Sequence, residues 1–176
     1  TLWRSAMDAI EAILKRRSVR RYRKEPIPAQ DLQQILEAGR QAPSAANRQP
    51  WHLVIVTDPE QKQRMAQACN GQMWLADAAC IMGGGGLPAV SERWYRVDVA
   101  IAMENIAIAA RSLGYGTCWI GAFKPDEIKA VCGLPADADV VACCPIGVPE
   151  AWPAARERKD WSVVFSRNRY GEALDL

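Results

Sequence analysis

The 176-residue chain sets 22 Lys and Arg against 20 Asp and Glu, a formal net charge of +2, with 49% hydrophobic and 24% charged residues. That balance excludes an intrinsically disordered chain, and a chain of this length folds as a single domain, residues 1–176, burying about 70% of the surface its unfolded form exposes. With no run of about 18 uncharged apolar residues it offers no membrane-spanning helix, and with no charged-then-apolar leader it reads as cytoplasmic.

In chain order, residues 1–6 read as an upstream extension, because the amphipathic pattern starts cleanly at Met7. MDAIEAILKR then places Ile10, Ile13, Leu14 and Arg17 at helical spacing. The run RRSVRRYRK follows, six cations in nine positions. A second helix starts near Pro28 and Asp31, carries Leu32, Ile35 and Leu36 on one face, and stops at Gly39. WHLVIVT predicts a buried strand in which the lone His52 is a packed, hydrogen-bonded side chain, and DPEQKQRMAQAC resumes helical spacing. AACIMGGGG reads as a strand running into a flexible glycine loop. Ser91 to Leu113 predicts a long buried helix, GYGTCWIGAF a third strand, PDEIKAVCGL a short helix and ADVVACCPIGVP a fourth strand. The remaining polar tail shows too little periodicity for a packed element. Helices and strands alternate as in an α+β or α/β domain.

The basic run has three readings: a solvated face, a nucleic-acid contact, or a pocket for one phosphate. A polyanion needs cations over a broad surface, which a net charge of +2 does not supply. Arg16, Arg17 and Ser18 instead combine forked donors with a hydroxyl where a helix ends, a set that suits a phosphate monoester. A second basic cluster, Arg156 to Lys159, lies in the tail, and spacing alone does not join it to the first. Gly84, Gly86 and Ala89 fit a dinucleotide-binding glycine pattern poorly, since Pro88 breaks the helix start and no ribose-binding acid follows. A single histidine cannot build a zinc set, so no metal site is expected, and the six cysteines read as reduced, buried thiols without an activated nucleophile. Without hydrolytic equipment, the chemistry points to a bound organic cofactor. In APSAANRQPW, Ser44, Asn47, Arg48 and Gln49 gather polar donors between two prolines, a set suited to the edge of a planar heterocycle.

Taken in order, RRSVRRY, APSAANRQPW, VDVAIAMENIAIAARSLGYGTCWIGAF and RERK after CCPIGVP resemble the FMN-dependent nitroreductase family over nearly the whole chain. The resemblance implies a three-layer α+β sandwich with a central mixed sheet flanked by helices. It also implies an intertwined homodimer with FMN at the interface, in which the arm 150–176 is exchanged with the partner. By the same resemblance Arg16, Arg17 and Ser18 hold the phosphate and ribityl chain, joined by Arg156 and Arg158, while Arg20 faces the N1 and O2 edge of the flavin. Pro43, Ser44, Ala45, Asn47 and Gln49 of the second subunit lie over the ring, and Ile120 and Gly121 approach it near N5. The implied activity passes hydride from NADH or NADPH to flavin N5 and on to a nitroaromatic, quinone or similar electron-poor small molecule by ping-pong turnover, with no nucleic acid and no membrane involved.

Asn70, Gln72 and Trp74 are the candidates for the substrate side. Two departures stand out: WIGAF replaces a segment reading like PIEG, and GGGGLP stands in place of a longer insertion over the site, which implies either an open pocket or a mobile lid. Specialised relatives that dehalogenate, fragment flavin or dehydrogenate a natural product remain open as alternatives, as does a non-enzymatic anion or nucleic-acid binder built on residues 16–24.

Overall fold

The computed structural model describes residues 7–175, so the extension read at residues 1–6 lies outside the described part. The first helix, α1 (Ala9–Lys15), starts where the Asp8 carboxylate accepts the Glu11 amide at 2.9 Å. It stops at Arg16, whose extended backbone lets the Val19 amide reach the Thr117 carbonyl at 2.9 Å. Then come β1 (Tyr22–Arg23), α2 (Ala29–Arg40), β2 (Trp51–Val56), α3 (Pro59–Ala68), β3 (Cys80–Gly86), α4 (Tyr95–Ser112), β4 (Gly116–Thr117), α5 (Pro125–Cys132), β5 (Asp139–Pro149) and the single turn α6 (Trp161–Val164). The strands form one sheet in the order β1-β5-β3-β2, with β4 also on β5. The chain adopts the expected three-layer α+β sandwich. On one face Met65 and Ile128, from α3 and α5, pack with Val56, Ile81 and Cys143. On the other, Ile35 of α2 and Val99, Met103 and Ile106 of α4 pack on Met82 and Ile146.

The sheet differs from the mixed one expected: every described ladder is antiparallel, and parallel pairing enters only through the bridge of Ser18 to Thr117. The register shows why. Val56 at the end of β2 pairs with Ile81 near the start of β3, and Gly86 at the end of β3 pairs with Asp139 at the start of β5. Each excursion closes on the point it left, so each new strand runs back along the last.

The glycine run overturns the expectation of a flexible loop or mobile lid. Gly83 to Gly86 are the buried second half of β3, in the middle of the sheet. A Cβ on Gly83 would meet Cys132 Sγ of α5 at 2.7 Å, and one on Gly84 would meet Met103 Sδ of α4 at 2.5 Å. The run is glycine because helices on both faces sit closer to this strand than a side chain allows.

Other elements differ in extent. The third strand shrinks to Gly116–Thr117, Ile120 keeping only an isolated bridge to Cys143. The β1 pairing with Val148 and Pro149 was hidden in the basic run by its charge. His52 is exposed on the edge strand β2 and not packed, because its neighbours Trp51 and Leu53 take the inward positions beside α2. Helix α4 buries Val99, Ala102, Met103, Ile106 and Ala110 but leaves Val97 47% exposed and Ile101 and Ile108 half-buried, so it is not covered on every side as its composition suggested. Among the described residues no helix is long and apolar enough to cross a membrane.

Gly85→Ala would set a Cβ 2.8 Å from the His52 carbonyl oxygen and 2.9 Å from Leu134. Thermal denaturation should show a loss of about 1–3 kcal/mol. Gly121→Ala, where a Cβ meets nothing within 4 Å, should melt like the parent protein.

Candidate functional site

The two basic clusters meet. A cavity of about 470 Å³ has Arg16, Arg17, Ser18, Arg20 and Arg21 on one wall and Glu150, Trp152, Arg156 and Arg158 on the other. The first wall is the extended segment that leaves α1 and docks on Thr117. The second is the arm that continues β5, tied at its root by the Glu150 amide to the Arg21 carbonyl at 3.1 Å. Farther on, the Arg111 guanidinium of α4 lies 3.7 Å from the centroid of the Trp152 ring. Residues 150 to 173 are otherwise exposed, so these contacts aim the arm at the cavity.

Six guanidinium groups face one acidic lining residue, Glu150. Burial first, then the positive charge of Arg17, pulls Arg111 below the usual arginine range, a sign of how crowded the cations are. Nη1 of Arg16 is buried and has no hydrogen-bond partner among the described residues. Its Nε lies 3.4 Å from Glu104 Oε1, whose other oxygen accepts the Trp119 indole N–H at 2.8 Å. Arg17 is used differently: it caps α1 by donating to the Leu14 and Arg16 carbonyls, both at 2.8 Å. A buried guanidinium N–H without an acceptor costs about 1–3 kcal/mol, so the donor set fits a bound phosphate monoester. The rest of the basic run turns away, Arg23 toward Glu25 at 3.8 Å and Lys24 toward Asp77 at 3.2 Å. It forms no broad cationic face for a polyanion.

The other expected residues lie elsewhere on the chain. Pro43, Ser44 and Ala45 line a separate cavity of about 290 Å³ with Trp94, Val97 and Asp98. Asn47 and Gln49 stand at the exposed end of that loop, linked by the Gln49 side-chain Nε2, which donates to Asn47 Oδ1 at 3.1 Å. Ala46, Asn47 and Gln49 all take positive φ of 50° to 55°, a strained run for non-glycine residues. Asp98, only 2% exposed, holds the loop by accepting the Ala45 amide at 3.2 Å, and Ser44 Oγ accepts the Gln49 amide at 2.9 Å. Ile120 exchanges both backbone hydrogen bonds with Cys143, and Gly121 opens to solvent. Gln72 donates to the Cys69 carbonyl at 2.9 Å and points toward Ala122, beside Gly121; Asn70 is exposed; Trp74 turns inward and stacks on Tyr22 at 6.3 Å. None of these three lines the cationic cavity.

Sequence reading missed Arg21, Glu104, Asp98 and the Arg111–Trp152 stack. The available signal was two acids in an otherwise apolar helix, which signify partners and not only solubility. Burial pushes the Cys80 and Cys144 thiols up to about 12 and raises Cys118 and Cys132, whereas the hydrogen bond with Cys143 draws the buried Cys69 down. Among the described residues no group of His, Cys, Asp or Glu could hold a metal ion.

A family model described as the Nitroreductase family matches residues 13–83 and 82–148. A protein of Archaeoglobus fulgidus is 33% identical over 150 residues, covering 81% of this chain and 86% of its own. The NADPH-flavin oxidoreductase of Vibrio harveyi is 30% identical over 181 residues, covering 94% of this chain and 75% of its own. Among solved structures, a nitroreductase family protein from Clostridium novyi is 29% identical with a TM-score of 0.78, covering 95% of this chain and 97% of its own. The Vibrio harveyi NADPH:FMN oxidoreductase complexed with NAD+ is 27% identical with a TM-score of 0.85, covering 94% and 79%.

Asp98→Ala removes the acceptor that holds the strained loop, whereas Asp98→Asn keeps one. Limited trypsin digestion should cut after Arg48 faster in the first variant, and the second should resist like the parent. Equal cleavage of all three would show that Asp98 does not restrain the loop. A second outcome follows from the thiols. Cys80 and Cys144 hold their protons from the usual 9.0 up to about 12 when folded, so the unfolded chain releases its protons first as pH rises. Their stabilisation is complete below that window and declines through it; melting temperatures that stay flat across it would contradict the assignment.

Proposed function

The chain belongs to the nitroreductase family of oxidoreductases, and from that premise we propose that its cationic cavity holds the phosphate of FMN. The protein then passes electrons from NADH or NADPH to a small electron-poor acceptor, a nitroaromatic or a quinone, in ping-pong turnover. The observation that carries this reading is the buried, unpaired Nη1 of Arg16 in a cavity lined by arginines from both ends of the chain. Two relatives named for flavin chemistry, the NADPH-flavin oxidoreductase of Vibrio harveyi and the FMN reductase of Bacillus subtilis, support it.

FMN, when bound, supplies a ring that takes up hydride and gives it away. The protein binds and orients. Arg16, Ser18, Arg156 and Arg158 present forked and hydroxyl donors to the phosphate and ribityl chain, and Arg17 adds charge while it caps α1. Arg20, at the cavity rim, supplies fixed positive charge for the ring edge where negative charge gathers, and it is most effective where water is excluded. Gly121, exposed and without a Cβ beside the sheet-paired Ile120, brings backbone to the ring, and Gln72 with Asn70 forms the access side, from which the inward-turned Trp74 is withdrawn.

We assign the whole chain to one FMN-binding domain that works as a homodimer. The support is apolar surface that one chain leaves bare: Val97 on α4, and Trp161, Val163, Val164 and Phe165 on the arm. In the dimer the arm beyond Arg158 crosses to the partner, while its root stays on its own chain's cavity, and Pro43, Ser44, Ala45, Asn47 and Gln49 cover the partner's flavin. Six free thiols suit a reducing compartment, the cytoplasm.

Purified protein is expected to be yellow, to release FMN on denaturation and to sediment as a dimer; a colourless monomer indifferent to added FMN ends the proposal. Arg16→Ala removes a charge-assisted contact, and FMN titration should show an affinity loss of about 10- to 150-fold. Unchanged affinity would remove Arg16 from the phosphate site.

A further inference from the structure

Helix α4 carries one carboxylate in the middle of its apolar run, Glu104, and that carboxylate is doubly engaged. Oε2 accepts the Trp119 indole N–H at 2.8 Å, a well-formed hydrogen bond. Oε1 stands 3.4 Å from Arg16 Nε, within ion-pair reach but longer than a tight contact. The two partners come from different parts of the fold. Arg16 is the residue at which α1 gives way to the cavity wall, and Trp119 precedes Ile120, whose backbone is paired in both directions with Cys143 of β5. The indole therefore fixes the carboxylate relative to the sheet, and the carboxylate draws the guanidinium into line.

The choice of Nε matters. A guanidinium is planar, so fixing its Nε edge and its stem also fixes where the far nitrogen points. That far nitrogen is Nη1, buried and unpaired. Arg17 and Arg111 repel each other nearby, and Glu104 sets a negative charge beside Arg16 at the edge of that crowd.

We infer that Glu104 is a positioning residue of the anion site, holding Arg16 by one oxygen and Trp119 by the other so that the buried guanidinium N–H meets the ligand's phosphate. This rests on the FMN reading above. Glu104 touches no ligand group itself; it acts through Arg16. Because the link ends on Trp119, it also ties the phosphate end of the cavity to the backbone at Ile120 and Gly121.

The test is titration of the full-length, flavin-stripped protein with FMN and with riboflavin, which lacks the phosphate. Glu104→Gln keeps an acceptor for the indole but removes the charge that orients Arg16. FMN affinity should fall about tenfold, with riboflavin affinity unchanged. Trp119→Phe frees the carboxylate and should lower the ratio of FMN to riboflavin affinity as well. The double variant should show the same ratio as Glu104→Gln alone, because both act through one link. An unchanged ratio in Glu104→Gln, equal losses for both flavins, or summed losses in the double variant would each overturn the inference. Should only one single variant fold, judged by ligand-free melting, its ratio decides. Parent protein that does not prefer FMN to riboflavin would instead sink the phosphate assignment itself, so the two failures are distinct.

Discussion

Like charges do not gather around a half-buried cavity unless something holds them there. Arginines from the end of α1 and from the arm after β5 are brought together by backbone constraints: the docking of residues 18 and 19 on Thr117, the Glu150 to Arg21 hydrogen bond, and the stacking of Arg111 on Trp152. The first two contacts are backbone pairings and only the third engages a cation, so much of the repulsion is carried by the fold and remains available to an anion. That is preorganisation in the electrostatic sense. The sheet order, with β5 at the centre reaching β1, β3 and β4, serves it by placing the two halves of the site at adjacent edges of one strand.

Helix α4 links the layers. Its inner face is ordinary core, but Asp98 and Glu104 reach outward from it to two separate segments, the strained loop after Pro43 and the Arg16–Trp119 pair. A carboxylate in an apolar helix is expensive unless it is satisfied, and here each is satisfied by a group that the family resemblance assigns to the cofactor site. One rigid element thus sets the position of parts that are far apart in sequence.

Most of the fold was legible because periodicity reports burial directly: the amphipathic α2, the β-branched β2 and the uniformly apolar α4 all formed close to their expected bounds. The glycine run was misread because glycine reports only the absence of a side chain. Whether that absence means looseness or tight approach is decided by Met103 and Cys132, which lie distant in sequence. The arginines were legible as chemistry but not as geometry, since nothing in RRSVRRYRK or RERK says that they share a cavity. Asp98 and Glu104 carried no assigned role in the sequence. The partner of Asp98, a backbone amide, carries no charge to match, and Arg16, the charged partner of Glu104, lies far from it in sequence.

The central strand built of glycines also bears on how the molecule assembles. Such a segment surrenders more conformational freedom on ordering than any other, and it has no side chains with which to nucleate. Its partners β2 and β5 meet only through it. The entropy given up by that segment is offset by the packing of α4 and α5 against it, so the helices give the middle of the sheet a shape that its own residues do not impose.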